Sequence, residues 1–280
     1  VLNLCDELKV SSVTIRKDLK FLEDKGLLFR AHGGATLHNP YTIERPVNEK
    51  EKIHLGEKMR IGAAAAKLIQ PNDSILIASG TTVQALAKSI QPKENLTSLN
   101  IIRIGTSGSL HADIPVDSFV MSKFGLGLDN MLRSYLIEDV SQDALEDAFI
   151  MHTNWDIRKG RPYAIACSET LEKIIESDKI FKGITASAGG FYGPQGRVLR
   201  LNIQDEELNN KMDNFNFDDH LITNLEMETA AIYGLCALLG HNALSLNAII
   251  ANRASGTFSE DPYKAVDELI GYTLNKLAQK

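Results

Sequence analysis

Apolar runs of strand length alternate with stretches of helical period through most of this 280-residue chain. The sharpest run is Ile101-Ile102-Arg103-Ile104, which stops in Gly105-Thr106-Ser107-Gly108-Ser109-Leu110. An apolar run cut off by glycines and hydroxyls predicts a buried parallel strand that delivers a loop. At the carboxyl end of such a strand, backbone N–H groups and hydroxyls converge on an anion. Arg103 would add a guanidinium able to grip phosphate through two donors. A plain tight turn accounts for Gly-Thr-Ser-Gly equally well. Upstream, Asp73 to Ile90 reads as a strand, a Ser79-Gly80-Thr81-Thr82 loop and a helix marked by Val83, Leu86, Ala87 and Ile90. A polar connection, Gln91 to Asn95, leads to the strand beginning at Leu99. The unit is βαβ, with parallel strands, a right-handed crossover and both loops at one sheet edge. Downstream, strands are expected at Asp117 to Ser122, Lys182 to Ser187 and Leu244 to Ala251, and helices at Ser168 to Ser177 and Met227 to Leu239. Pro262 to Leu277 predicts a closing amphipathic helix with Ala265, Val266, Leu269, Ile270, Leu274 and Leu277 on one face. The fold class is therefore α/β.

The first forty residues follow a different pattern. Val1 to Leu8 predicts a helix, and Val13 to Glu23 a second one that Ser11 or Ser12 can cap. Val13, Leu19 and Leu22 suit its inner face, while Thr14, Arg16, Lys17 and Lys20 suit the outside. Two helices joined by a short turn, the second bearing exposed Arg and Lys, form a helix-turn-helix pattern whose second helix enters the major groove. A helical hairpin with a solvated charged face fits the same spacing. Leu27 to Arg30 and His32 to Ala35 read as a β-wing after a stop at Gly26, and Gly33 to Glu57 is polar and aperiodic, as wing and linker would be.

Composition narrows the class without deciding it. The chain is 44% hydrophobic and 24% charged, ordinary for a soluble globular protein. No apolar run approaches the roughly 20 residues that span a bilayer, and the charged start is unlike a signal peptide. A cytoplasmic protein with no membrane partner is expected. Cys5, Cys167 and Cys236 have neither metal nor redox spacing, so reduced thiols and no metal site are expected. The net charge of −6 confines nucleic-acid binding to a local basic face. Arg158, Lys159 and Arg161 around Gly160 read as a solvated basic loop.

Ser12-Val13-Thr14-Ile15-Arg16-Lys17-Asp18-Leu19, Gly26-Leu27 and Arg30-Ala31-His32-Gly33-Gly34-Ala35 together resemble the winged helix-turn-helix of the DeoR family of bacterial repressors. The resemblance runs on through Arg45, Asn48, Glu49-Lys50 and Asp73 to Thr82, like the start of that family's phosphosugar sensor, and stops near Thr97. It implies that Thr14, Arg16, Lys17 and Lys20 face DNA and that Ser79, Gly80, Thr81 and Thr82 cradle a phosphate.

From Leu96 onward a second resemblance takes over. Arg103-Ile104-Gly105-Thr106-Ser107-Gly108, Phe191-Tyr192-Gly193-Pro194-Gln195-Gly196-Arg197, Asn224-Leu225-Glu226-Met227-Glu228-Thr229 and Ala251-Asn252-Arg253 are similar, in this order, to uridine phosphorylases. The fold implied is a nucleoside-phosphorylase-like mixed sheet flanked by helices, preceded by a small partial winged helix-turn-helix. The expected division is residues 1–38 for the winged part, 39–57 for a linker, 58–97 for a sensor-like segment and 98–280 for the phosphorylase-like domain.

The resemblance implies roles for these residues. Arg103 and Thr106 hold phosphate, and Glu228 accepts from the sugar hydroxyls while positive charge builds on the ribose. Ser107, Gly108 and Glu226 bind substrate, Met227 packs on the sugar, Phe191 stacks on the base, and Gln195 and Arg197 meet the uracil edge. Arg253 lines the same pocket or ends a core strand. Glu226 and Glu228 would equally serve as favourable charges at a helix start. The reaction implied is uridine plus phosphate to uracil plus ribose 1-phosphate, with inorganic phosphate as co-substrate, no other cofactor, and a homo-oligomer as the working form. Phosphorylases carry a Gly-Asp-Pro phosphate loop that has no counterpart here, so impaired turnover is expected unless Ser79 to Thr82 facing Thr106 replaces it. The alternative is a DeoR-type DNA-binding regulator whose C-terminal half senses a nucleoside or phosphosugar.

Overall fold

Helical and strand periods along the sequence resolve into two compact units, residues 1–58 and 59–280. The computed structural model describes residues 2–25, 27–31, 34–36, 52–70, 74–76, 81–90, 98–198 and 200–279. In the first unit, α1 (Leu2–Leu8) is followed by α2 (Ser12–Asp24). Ser11 caps α2, its hydroxyl accepting from the Thr14 backbone N–H at 3.2 Å. Ile15 and Leu19 are buried and Leu22 half-buried. Val13 is not on that face: it is 60% exposed. Two residues along a helix turn a side chain through about 200°, so a face set by Ile15 and Leu19 turns Val13 outward. Thr14, Arg16, Lys17 and Lys20 are all exposed. Strands β1 (Phe29–Ala31) and β2 (Gly34–Thr36) pair antiparallel as the expected wing.

Residues 37–51, most of the expected linker, lie outside the described residues. The last of it is helical, because α3 runs from Leu55 to Ala66. Strand β3 (Ser74–Leu76) and α4 (Thr81–Ser89) follow, with Thr81 and Thr82 opening the helix. Ser79 and Gly80 lie outside the described residues. Strand β4 (Asn100–Ser109) pairs parallel with β3, Ser74 beside Asn100 and Leu76 beside Ile102, as the βαβ reading expects.

Gly105 to Ser109 are not a turn. They continue β4 because one of its edges is occupied along the whole stretch and the other at its end. The strand Asn242–Asn252 pairs with it parallel along its length, and Gly108 and Ser109 also pair with Leu225 and Asn224. A glycine- and hydroxyl-rich segment remains a strand when long-range partners satisfy its backbone.

The rest of the unit comprises β5 (Phe119–Gly127), α5 (Asp143–Thr153), β6 (Tyr163–Ala166), α6 (Glu169–Ile175) and β7 (Ile180–Ser187). Then come α7 (Leu208–Asp213), β8 (Asn216–Phe217), β9 (His220–Glu226), α8 (Thr229–Leu238), β10 (Asn242–Asn252), β11 (Thr257–Phe258) and α9 (Pro262–Ala278). Among the described residues the mixed sheet runs β11-β10-β4-β9-β7-β5-β6. Strand β5 also pairs with β10, Met121 opposite Leu246, so β10, β4, β9, β7 and β5 close into a circuit. Polar side chains cross its interior: Ser122 meets Thr185 at 2.6 Å, Thr185 donates to Asn224 at 2.8 Å, and Asn224 donates to Ser107 at 2.9 Å. Each of these four side chains finds a partner, which is the condition for burying it. One apolar cluster joins Ile102, Met121, Tyr233, Leu244 and Leu269, and a second joins Leu126, Phe149, Ile184, Met212 and Ile222. On α9, Ala265, Leu269 and Thr273 are buried, but Leu274 is 51% exposed and does not share that face.

Candidate active site

The carboxyl ends of β4, β7, β9 and β10 lie side by side, and most of the phosphorylase-like residues gather there. Arg103 extends along β4 over Gly105, where a Cβ would stand 2.5 Å from its guanidinium. Glycine at 105 leaves room for the arginine to lie flat along its strand. Its Nη1 donates to Asn247 Oδ1 at 2.9 Å and to Ser245 Oγ at 3.3 Å, both from β10. Its Nη2 donates to Glu228 Oε2 at 2.6 Å and lies 3.2 Å from Glu226 Oε2.

The two carboxylates are not equivalent. Glu226 ends β9 with a side chain only 3% exposed. It accepts from Ser187 Oγ at 2.5 Å, the Glu228 backbone N–H at 2.9 Å and the Thr229 backbone N–H at 2.9 Å. Burial pushes its carboxyl above the usual range, against the pull of Arg103, Ser187 and the two N–H groups. Glu226 therefore ties β7, the start of α8 and Arg103 together. Glu228, 54% exposed, has Arg103 as its side-chain partner among the described residues. Met227 between them is exposed.

The second cluster comes from residues 191–197 and Arg253. Gln195 is buried, and its Nε2 donates to the Glu226 carbonyl at 3.5 Å. Its Oε1 accepts from Arg253 Nη2 at 2.8 Å and from Arg197 Nη1. Arg253 Nη1 also donates to the Gln195 carbonyl at 2.9 Å and to Asn209 Oδ1 at 3.2 Å, while its buried Nε has no partner. Burial, then the nearby Arg197, lowers the Arg253 guanidinium to about 10. Arg197 donates to the Phe191 carbonyl at 2.6 Å and stacks 3.9 Å above the Phe191 ring. Burial draws its guanidinium below the usual value. Phe191 itself is 53% exposed, with the Tyr192 ring edge-on to it at 5.3 Å between centroids.

Arg103, Glu226, Glu228, Gln195, Arg197 and Arg253 thus form one connected set, linked at the Glu226 carbonyl. Ser107 is drawn instead into the sheet interior by Asn224. Gly108 lies near Arg253, whose Nε would be 3.7 Å from a Cβ there. Thr106 is exposed and has no side-chain hydrogen bond among the described residues. The basic loop divides: Arg158 pairs with Asp156 and Arg161 with Asp147 and Glu146, leaving Lys159 apart. Sequence reasoning missed Ser187, Ser245, Asn247 and Asn209. Ser187 ends β7, Ser245 and Asn247 lie within β10 and Asn209 in a short helix, and polar residues at such positions are too common to signal a site.

The mixed sheet flanked by helices is a nucleoside-phosphorylase-like α/β fold. The family model of the phosphorylase superfamily matches residues 75–278, and the chain belongs to that superfamily. Residues 1–40 match the DeoR-like helix-turn-helix domain. The lactose phosphotransferase system repressor of Streptococcus mutans is 40% identical over 103 residues, 36% of this chain and 39% of the repressor. The chain thus spans well under half of that relative. The repressor of the same name from Staphylococcus epidermidis is 31% identical over 200 residues, 64% of this chain and 76% of that protein. Residues 1–97 cannot hold so long a match, so the repressor likeness extends beyond Thr97, where sequence reading ends it. A solved Trypanosoma brucei nucleoside phosphorylase, described as showing uridine phosphorylase activity, aligns with a TM-score of 0.58 at 22% identity. That alignment covers 71% of this chain and 77% of the other, and the likeness is one of fold.

Proposed function

We propose that this site cleaves a pyrimidine nucleoside by phosphorolysis, taking uridine and phosphate to uracil and ribose 1-phosphate. The observation that carries the reading is the linkage of Arg103 and its two carboxylates to Gln195, Arg197 and Arg253 through Glu226. A phosphate oxygen forms the new bond to the anomeric carbon as the carbon–nitrogen bond breaks, and the electron pair leaves on the uracil nitrogen. Arg103 holds the phosphate. Glu228 accepts from the sugar hydroxyls, and its charge favours the oxocarbenium-like transition state. Gln195 and Arg197 receive the departing base, so that a proton from solvent suffices and no side-chain acid is needed. Arg103 and Glu228 must first part, since each occupies the other at 2.6 Å. Release of uracil from uridine that requires added phosphate is the expected result. Glu228→Gln should cut kcat/KM by about 100-fold, as the loss of one preorganised electrostatic partner does. Uracil release that ignores phosphate, or no turnover at any phosphate concentration, overturns the reading.

A second reading, DNA binding by the first unit, has its own observation: Thr14, Arg16, Lys17 and Lys20 stand exposed on one capped helix. The repressor names of the relatives favour it. Operator-like DNA should then shift with an affinity that falls steeply with salt, and Lys17→Ala with Lys20→Ala should lower the log–log slope by about 2. A slope unchanged in that double variant counts against it.

A further inference from the structure

A cavity of about 620 Å³ is lined by Tyr192, Gly193, Pro194 and Arg197 on one stretch and by residues 200–205 on another, and Arg103, Glu226, Glu228 and Gln195 take no part in its walls. Leu128, Ile203 and Leu208 form its apolar floor, with Leu128 and Leu208 buried. Its charges are unbalanced. Lys159, Arg197 and Arg200 line it against a single acid, Asp205, whose carboxylate already accepts from Lys211 at 2.9 Å. Arg200 has no hydrogen bond or ion pair among the described residues. Lys159 makes no hydrogen bond or salt bridge among them either; its ammonium sits over the Trp155 ring, 4.7 Å from the centroid, and its charge acts at longer range on Asp156, which already pairs with Arg158. The volume falls in the range that takes a ligand of small-molecule size. A sugar would leave hydroxyls unpaired on such a floor. A ligand with an apolar body and one acidic head satisfies both the floor and the two cations.

We propose that this cavity binds a small amphipathic anion, its apolar body on Leu128, Ile203 and Leu208 and its carboxylate or phosphate head between Lys159 and Arg200. Because Arg197 both lines the cavity and holds Gln195, the occupant competes for that guanidinium and loosens the base pocket. This linkage rests on the nucleoside reading; the binding does not.

Trp155 is the single tryptophan of the chain and lies under Lys159, so its fluorescence reports the cavity without any turnover. The full-length protein is titrated with octanoate, octyl phosphate and octan-1-ol. Both anions should give saturating changes, tighter for whichever head the site prefers, with octan-1-ol at least about tenfold weaker. Arg200→Gln should weaken the anions and leave octan-1-ol unchanged, and adding Lys159→Gln should weaken them further. Equal binding of octan-1-ol and octanoate, unaltered anion binding in the double variant, or no fluorescence change with any probe overturns the site. Saturating octanoate should also weaken uracil binding measured by calorimetry; an unchanged affinity removes the linkage. Absence of uracil binding without octanoate counts against the nucleoside reading, while the fluorescence still decides the cavity.

Discussion

A methyl group on Gly105 would stand 2.5 Å from the Arg103 guanidinium, the far end of a flexible side chain. Gly105→Ala should therefore leave thermal stability nearly intact but push Arg103 off its strand, raising the phosphate KM by about tenfold, or about 1.4 kcal/mol. A phosphate titration of the kinetics checks this, with the melting temperature as control. The two carboxylates on Arg103 should separate in the opposite way. Glu226 is buried under several donors, so Glu226→Ala strands them and should cost about 3 kcal/mol in a urea titration. Glu228 is half-exposed, and Glu228→Ala should cost less than about 1 kcal/mol while abolishing most turnover. Glu226 and Glu228 are both visible in sequence as a Glu-Met-Glu triplet. Which one is structural depends on burial, and burial is set by strands far away in the chain.

Among the elements, α3 meets α4 at Gly62, where a Cβ would lie 2.6 Å from the Ala85 carbonyl carbon and oxygen. Backbone cannot rotate aside as a side chain can. Gly62→Ala should force the helices apart and cost about 1–3 kcal/mol, read as a lower midpoint in thermal unfolding. Most elements were legible from period and punctuation: the capped α2, the wing, the βαβ unit and α9 stand close to where the pattern places them. The misses share one cause. Val13 and Leu274 are apolar residues whose exposure depends on which neighbours set the buried face. The tail of β4 has turn-forming composition yet remains extended, because β10 and β9 hydrogen-bond to it.

For the whole molecule, the apolar cluster packed around the sheet buries groups that resist ionisation. Burial pushes the Cys167 thiol up to about 12 and the Cys236 thiol to about 11, and raises the Tyr233 hydroxyl as well. The unfolded chain releases thiol protons near 9, which the folded chain still holds. Stability from these groups is therefore complete below about pH 9 and is lost as pH rises toward 11 and 12, at about 1.4 kcal/mol per unit for each thiol. Urea midpoints should fall along this alkaline limb, and Cys167→Ala with Cys236→Ala should flatten it. At this scale sequence reading located the nucleoside-phosphorylase resemblance but ended the repressor likeness too early, since the match to the Staphylococcus epidermidis protein covers 64% of the chain.

Local chemistry alone determined the alternation of strands and helices, the capped helix with its basic face, and the identity of the residues that could hold an anion and a base. Hydrogen-bond caps and hydrophobic period act within a few residues, so they are written into short stretches of chain. Only the tertiary structure decided how those residues are oriented. Arg103 is aimed by Ser245 and Asn247, and the Gln195 amide is turned by Arg253, 58 positions away. A side chain's direction follows from partners that folding brings together, and separation along the chain carries no record of them.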